Sequence, residues 1–572
     1  MELSYEQQRV VKTKNKDILV SAAAGSGKTT VLVKRIIEKV CDSENPVDID
    51  RILVVTFTKA AAAEMKLRIY NAISDKLKED PYNEHLMMQQ TLVNNAQIST
   101  IDSFCQTLFK RHFFEMGLDP KLHIADEGEL KLISQETMDE LLDELYERGE
   151  KEFLDLTDVF SLRDRDGRLF KLIDQLYKEA VSYPYPLKWL DCLMIAYEDD
   201  GKYFLDCALM IAKRLIASLS DDVAGLKEEL MAPCSLGEHP YLSALSEDEK
   251  IFSALLDAKD YESLYDMLYQ ISFARLSSAS KLNEDEKEEA KAYKARRDGI
   301  KKSLTDVKDK IICASSDEMA RQVAAISPFV NKLIEVTKEF YIRFGEKKQK
   351  RGLMDFADLE HFALSILVDE NTSQPTGVAR ALSEEFVEVM IDEYQDVNDI
   401  QEALLNSITR KEEGGRNYFM VGDVKQSIYR FRQARPKIFM SKYDLFKGES
   451  DDNELINLDM NYRSRMEVTE SVNAIFKNVM SKDLGNVSYD EDAMLKAGAK
   501  FCDDDGTYER KTDVILAEAV DDFSPFDDKS TLNKNGQEAM LIAGKINDLV
   551  RTFKVSEEGK LRPLRYSDIC IL

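Results

Sequence analysis

Two stretches far apart in this 572-residue chain carry the residue types that handle a triphosphate. The first is Ser21-Ala-Ala-Ala-Gly-Ser-Gly-Lys-Thr-Thr30. Gly25 and Gly27 let the backbone turn tightly enough to aim several N–H groups at one anion, and the positive end of a following helix adds to that field. Lys28 can then reach the β- and γ-phosphates, and the hydroxyl of Thr29 can bind Mg²⁺. The candidate nucleotide-binding residues of this loop are Ala24, Gly25, Ser26, Gly27, Lys28, Thr29 and Thr30. The second stretch is Asp392-Glu-Tyr-Gln-Asp396, which ends an apolar run. Asp392 can hold from the other side the Mg²⁺ that Thr29 holds, and Glu393 can act as general base on an attacking water. Gln426, just past a further apolar run, is placed to sense a γ-phosphate. Arg463 is a fixed cation that could enter the site as an arginine finger. The chemistry this set could perform is hydrolysis of a nucleoside triphosphate.

Such a site needs strands that end at one edge and helices that start there. Asp17–Val20 reads as a strand before the loop, and Val31–Ile37 has helical spacing after it. Arg51–Phe57 is β-branched and apolar and leads through Thr58 into an alanine-rich helix, Ala60 to about Ile73. Thr56, Phe57 and Thr58 therefore fall at the rim of a parallel sheet, where ligands bind; taken alone, Phe57 fits a core position. Gln97–Ile101 reads as a third strand, followed by a helix over Asp102–Phe109 with Asp102 near its N-cap. From about His112 to Gly352, Gly and Pro thin out and amphipathic helices follow one another, an all-helical insertion without a phosphate or metal motif. Within it, Lys281–Lys310 carries ten basic and eight acidic residues and reads as a solvated helix. The α/β texture then returns: a helix over Met354–Leu364 and strands over Val387–Ile391 and Asn417–Val421, after which Leu455–Ser464 brings the cation Arg463. Tyr429, Phe431 and Arg432 group two aromatics with a cation, which suits base stacking and phosphate contact. Gln7, ahead of the first strand, has an amide that could read an adenine edge, though alone it fits a surface position.

The bulk numbers set bounds. The length requires several domains. The eight cysteines are scattered, with no C-x-x-C pair, which fits reduced thiols of a cytoplasmic protein. The start Met1-Glu-Leu-Ser-Tyr-Glu has neither a basic region nor an apolar one to direct export. A net charge of −28 opposes bulk adhesion to nucleic acid but leaves room for a locally basic groove.

Taken in order, Ala24-Gly-Ser-Gly-Lys-Thr29, Thr56-Phe-Thr58, Asp392-Glu-Tyr-Gln-Asp396, Gly422-Asp-Val-Lys-Gln-Ser-Ile-Tyr-Arg-Phe-Arg432 and Asn461-Tyr-Arg-Ser464 resemble the motif set of the superfamily 1 helicases of the UvrD/Rep/PcrA type. Ser99-Thr-Ile-Asp-Ser-Phe-Cys105 and the long insertion make the chain most similar to the AddA-type helicase–nuclease subunits, which work with an AddB-type partner on double-strand breaks. The resemblance implies an ATP- and Mg²⁺-dependent 3′→5′ motor on single- and double-stranded DNA, built from two RecA-like domains. Residues 1–111 and 353–452 would form the first, 112–352 the insertion, and 453–572 the start of the second. Gln7 resembles the adenine-reading glutamine, and Tyr462 the residue that stacks on adenine. Lys28, Thr29, Asp392, Glu393, Gln426 and Arg463 match the roles given above. Thr56, Thr58, Tyr429 and Arg432 would lie along DNA, and Phe57 and Phe431 correspond to aromatics that stack on its bases, which reverses the core reading of Phe57. The chain departs from the pattern in two places. Ala22 stands where the phosphate loop's first glycine is usual. Tyr566–Leu572, which reads as an early strand of the second domain, comes before any motif V, motif VI or nuclease domain. Residues 1–572 alone are therefore expected to bind nucleotide and DNA without turnover.

Overall fold

Near-continuous apolar strands require a sheet covered on both faces, and six of them meet that requirement in one parallel sheet. The computed structural model describes residues 3–119, 121–160, 167–199, 201–411, 415–430, 433–448, 450–481, 487–499, 501, 512–516, 533–557 and 560–572. Its strands are β1 (Asp17–Ala22), β2 (Ile52–Thr56), β3 (Ile98–Thr100), β4 (Glu388–Ile391), β5 (Tyr418–Gly422) and β6 (Asn453–Leu458). They lie in the order β3-β2-β4-β5-β1-β6, and every pairing is parallel.

Period-two alternation sends successive strand residues to opposite faces. Ile18, Val20, Ile52, Val54, Met390, Phe419 and Val421 pack under the helices Lys28–Val40 and Lys59–Glu79. Leu19, Leu53, Val55, Val389, Ile391 and Met420 pack under Ile101–His112, Phe356–Leu367 and Asp399–Ser407. The chain leaves β1 and skips two positions to reach β2. That gap is filled only after the long insertion, by β4 and β5. The carboxyl ends of β1, β4 and β5 thereby share one edge, the usual ligand edge of such sheets.

The chain forms two compact units, Met1–Ile124 with Met354–Leu572, and Ala125–Leu353. The second is helical, with its own apolar clusters around Phe252, Phe153 and Phe340. Its helix Glu284–Lys310 opens on an Asn283/Glu286 capping box. Where the sequence suggested a solvated helix, a stripe of Ala290, Ile300, Leu304 and Val307 is buried, and Arg297 is buried in a two-pronged pair with Asp248 at 2.5 and 2.8 Å. No helix among the described residues is long and apolar enough to cross a membrane.

Several boundaries differ from the sequence reading. Residues 112–124, read as the start of the insertion, stay with the first unit, where Phe113, Leu122 and Ile124 join the core. The helix read from Met354 begins at Phe356 because Asp355 caps it, with Asp358 closing the box. Thr100, not Asp102, caps the helix after β3. Asn453, read as the start of a second α/β domain, instead opens β6, whose six residues register against β1 from Asp17↔Asn453 to Ala22↔Leu458. Tyr566–Asp568 is a single 3₁₀ turn, and residues 569–572 form no strand. A strand exists only with a partner to pair with, and among the described residues none lies beside them.

Candidate functional site

The loop after β1 takes its shape from two glycines. Gly25 has φ +72° and Gly27 φ +86°, the left-handed region that side chains disfavour. Gly27 also caps the helix that begins at Lys28, leaving that helix's first N–H groups open to an anion. The loop is held from below by Gln7, a buried residue whose Nε2 donates to the Ser26 carbonyl at 3.0 Å. Gln7 is thus no surface residue. From the other side Asn461 donates to the Ala24 carbonyl at 2.8 Å, and the Tyr462 N–H to the Gly25 carbonyl at 2.9 Å. A Cβ at Gly25 would lie 2.9 Å from Asn461 Cγ and Arg463 Cβ, so that glycine permits both the turn and the close approach.

Lys28 and Glu393, 365 positions apart in sequence, meet at 3.0 Å, and Gln426 Oε1 stands 3.5 Å from the same ammonium. Glu393 adopts a left-handed backbone at φ 55°, ψ 46° directly after β4. For a non-glycine residue this costs on the order of 1–2 kcal/mol, a strain typical of functional turns. Asp392 is buried, with one oxygen accepting the Glu393 N–H at 3.0 Å. Burial, then the adjacent Glu393, push its carboxyl up to about 6, against the pull of Lys28. Asp396 is likewise raised to about 6 by burial and then by Glu393. Three crowded carboxylates facing one lysine are short of positive charge. That shortage, and a buried Ser26 hydroxyl with no hydrogen-bond partner, fit a site for a divalent cation and a phosphate. Thr29 is half-buried on the first helical turn, while Thr30 beside it is exposed.

The remaining predicted residues distribute as follows. Arg463 is exposed, and its guanidinium makes no hydrogen bond or ion pair with the described residues. The Tyr462 ring lies against Gly498, where a Cβ would come within 2.9 Å of Cε1. Phe57 is half-buried and in neither core cluster of the sheet, and its ring meets Tyr429 in a tilted pair, centroids 4.5 Å apart at 32°. The Thr56 hydroxyl donates to the Thr58 carbonyl and the Thr58 hydroxyl caps the next helix, so both are engaged locally. Phe431 and Arg432 lie outside the described residues. Sequence reasoning assigned no role to Gln395, Asp423 or Asn461. The only signal in the sequence was an amide set between acids; its burial, and the lack of room at Gly422, are visible in the structure alone.

The family model of the UvrD/REP helicase N-terminal domain matches residues 3–447. The chain is 39% identical to an ATP-dependent helicase/nuclease subunit of Lachnoclostridium phytofermentans, over 99% of this chain and 44% of that protein. It is 37% identical to the protein of the same name from Clostridium beijerinckii, over 99% of this chain and 47% of the relative. For Bacillus cytotoxicus the identity is 36%, over 99% and 46%. The chain spans a little under half the length of the curated relatives it matches. A phosphate loop, an acidic strand end and a glutamine gathered at one sheet edge, within a match of this extent, have one consequence: the chain belongs to the UvrD/REP helicase family.

Proposed function

We propose that this chain carries the nucleotide-binding core of an ATP-dependent 3′→5′ DNA helicase, one component of a helicase–nuclease complex that processes double-strand breaks. The observation that carries the reading is the meeting of Lys28, Glu393 and Gln426 at one sheet edge. In this account the loop amides and Lys28 hold the phosphates, Thr29 and Asp392 hold Mg²⁺, and Glu393 takes a proton from the attacking water. Magnesium bound there neutralises phosphate charge and orients the phosphate oxygens. Gln426 reports the γ-phosphate to the segment that ends in Tyr429, Phe431 and Arg432, and Phe57 with Tyr429 offers a pair of rings to a DNA base. The partners that follow are single- and double-stranded DNA and an AddB-type protein, in the cytoplasm; the relatives' shared name, which calls each a helicase/nuclease subunit, supports a complex.

The test is binding of Mg·ATP and of a single-stranded oligonucleotide, each measured separately on the chain. Both should bind, and Lys28→Ala should remove nucleotide binding while leaving the oligonucleotide bound. Nucleotide binding without DNA binding would turn the reading toward a phosphate-loop kinase or transport ATPase. A second reading is a binding module that holds nucleotide and DNA without turnover. Hydrolysis stimulated by single-stranded DNA in residues 1–572 would defeat it.

A further inference from the structure

Five residues close a ring of hydrogen bonds through the site. Lys28 Nζ donates to Glu393 Oε2 at 3.0 Å, and Gln395 Nε2 donates to the same oxygen at 2.9 Å. Gln395 Oε1 accepts the Asp423 N–H at 2.9 Å. Gln426 Nε2 donates to Asp423 Oδ2 at 2.8 Å, and Gln426 Oε1 returns to Lys28 Nζ at 3.5 Å. Only the amide oxygen can accept the Asp423 N–H, so the NH₂ of Gln395 must face the carboxylates of Glu393 and Asp396, the latter at 3.3 Å. Gln395 is 1% exposed. A Cβ at Gly422 would lie 2.3 Å from Gln395 Oε1, so β5 ends in the one residue that leaves this amide room. A buried amide satisfied at both ends joins the turn after β4 to the turn after β5.

We propose that Gln395 is the positioning residue that passes nucleotide occupancy from Glu393 to segment 423–430, which carries Gln426 and the Tyr429 ring packed against Phe57. The proposal rests on the reading of the loop 24–29 as the phosphate site. Lys28 turns to the phosphate oxygens when they arrive, and Glu393 Oε2 then keeps Gln395 as its remaining donor. Any shift of the Glu393 carboxylate moves the Gln395 amide, and with it the Asp423 N–H and the turn Val424–Gln426.

The test is hydrogen exchange of the chain with and without Mg²⁺ and a non-hydrolysable ATP analogue, in the parent, Gln395→Met and Gln395→Glu. Methionine keeps the volume and loses both hydrogen bonds. Glutamate keeps an acceptor for Asp423 and, at a pH high enough to ionise it, sets a repelling oxygen in place of the donor to Glu393, so it breaks the same link by a different route. In the parent, nucleotide should slow exchange over residues 24–31 and change it over 423–430. Both variants should keep the first response, with affinity within about threefold of the parent, and lose the second. A parent-like response at 423–430 in either variant overturns the proposal. So does loss of both responses in variants that melt like the parent, because Gln395 would then act in binding alone. No slowing at 24–31 in the parent overturns the phosphate-site reading, and the proposal with it.

Discussion

Glu393 combines a strained backbone, two hydrogen-bond donors on one oxygen and a position past a buried strand end. If it is the base, Glu393→Gln in the active helicase keeps ATP binding and stops turnover; intact hydrolysis would show that another group takes the proton. Tyr429 packs against Phe57 in a tilted ring pair. Tyr429→Ala should weaken single-strand binding by about 1–3 kcal/mol in an oligonucleotide titration, the worth of one stacked base. An unchanged affinity would leave that ring a packing role only. At this scale residue type alone named Lys28, Asp392 and Glu393 as candidates, and the structure sets Lys28 against Glu393 beside the buried Asp392; the chemistry they perform stays the proposal made above. The sequence was not legible where a role is conferred by a neighbour. Gln7 looks like a surface amide until the Ser26 carbonyl is found above it, and Gln395 looks like a spacer until Gly422 is seen to make room for it.

Among the elements, the first helix, Tyr5–Lys12, is tied to the sheet by one buried guanidinium. Arg35 donates to the Val10 and Thr13 carbonyls at 2.7 Å and to Glu388 on β4 at 2.8 Å, and lies over the Phe419 ring. Arg35→Ala leaves Glu388 buried with Lys39 alone, at 3.3 Å, and should cost about 3–5 kcal/mol in denaturant unfolding. A loss under about 1 kcal/mol would mean that water or Lys39 replaces it. On the opposite face, Glu360 in the helix Phe356–Leu367 is buried and accepts Gln401 Nε2 at 2.7 Å. Burial raises its carboxyl from 4.5 to about 7. The folded state therefore holds a proton that the unfolded chain releases between those values, and stability from this group is lost as pH rises from about 4.5 toward 7. Glu360→Gln keeps the acceptor and removes the titration. Its stability relative to the parent should rise from pH 5 to pH 8 by up to about 3 kcal/mol. An equal difference at both pH values would place the titration elsewhere. Periodicity located five of the six strands to within a residue or two; the sixth, at Asn453, was read only as the opening of a second domain. It could not say which sheet the strand at Asn453 joins, because that depends on β1 more than four hundred positions away.

For the whole molecule, the insertion 125–353 separates the two halves of the site in sequence while the sheet order reunites them. Pairing the Lys28 loop with the Asp392 strand end required the insertion to loop out and return, but that β4 and β5 fill the gap between β1 and β2 is seen only in the sheet. The helical unit, with no chemical motif of its own, was legible in kind and not in arrangement. Its helices pack through contacts that a repeating apolar pattern does not specify, such as the buried Arg297–Asp248 pair. The central claim is that one Mg·ATP is held jointly by the loop after β1 and the end of β4. The most direct measurement is calorimetric titration of ATP into the parent, Lys28→Ala and Asp392→Asn, in Mg²⁺ and again in EDTA. The account predicts that Lys28→Ala abolishes measurable binding in both conditions, whereas Asp392→Asn weakens it in Mg²⁺ and changes nothing in EDTA. Parent-like affinity of Asp392→Asn in Mg²⁺ would contradict it.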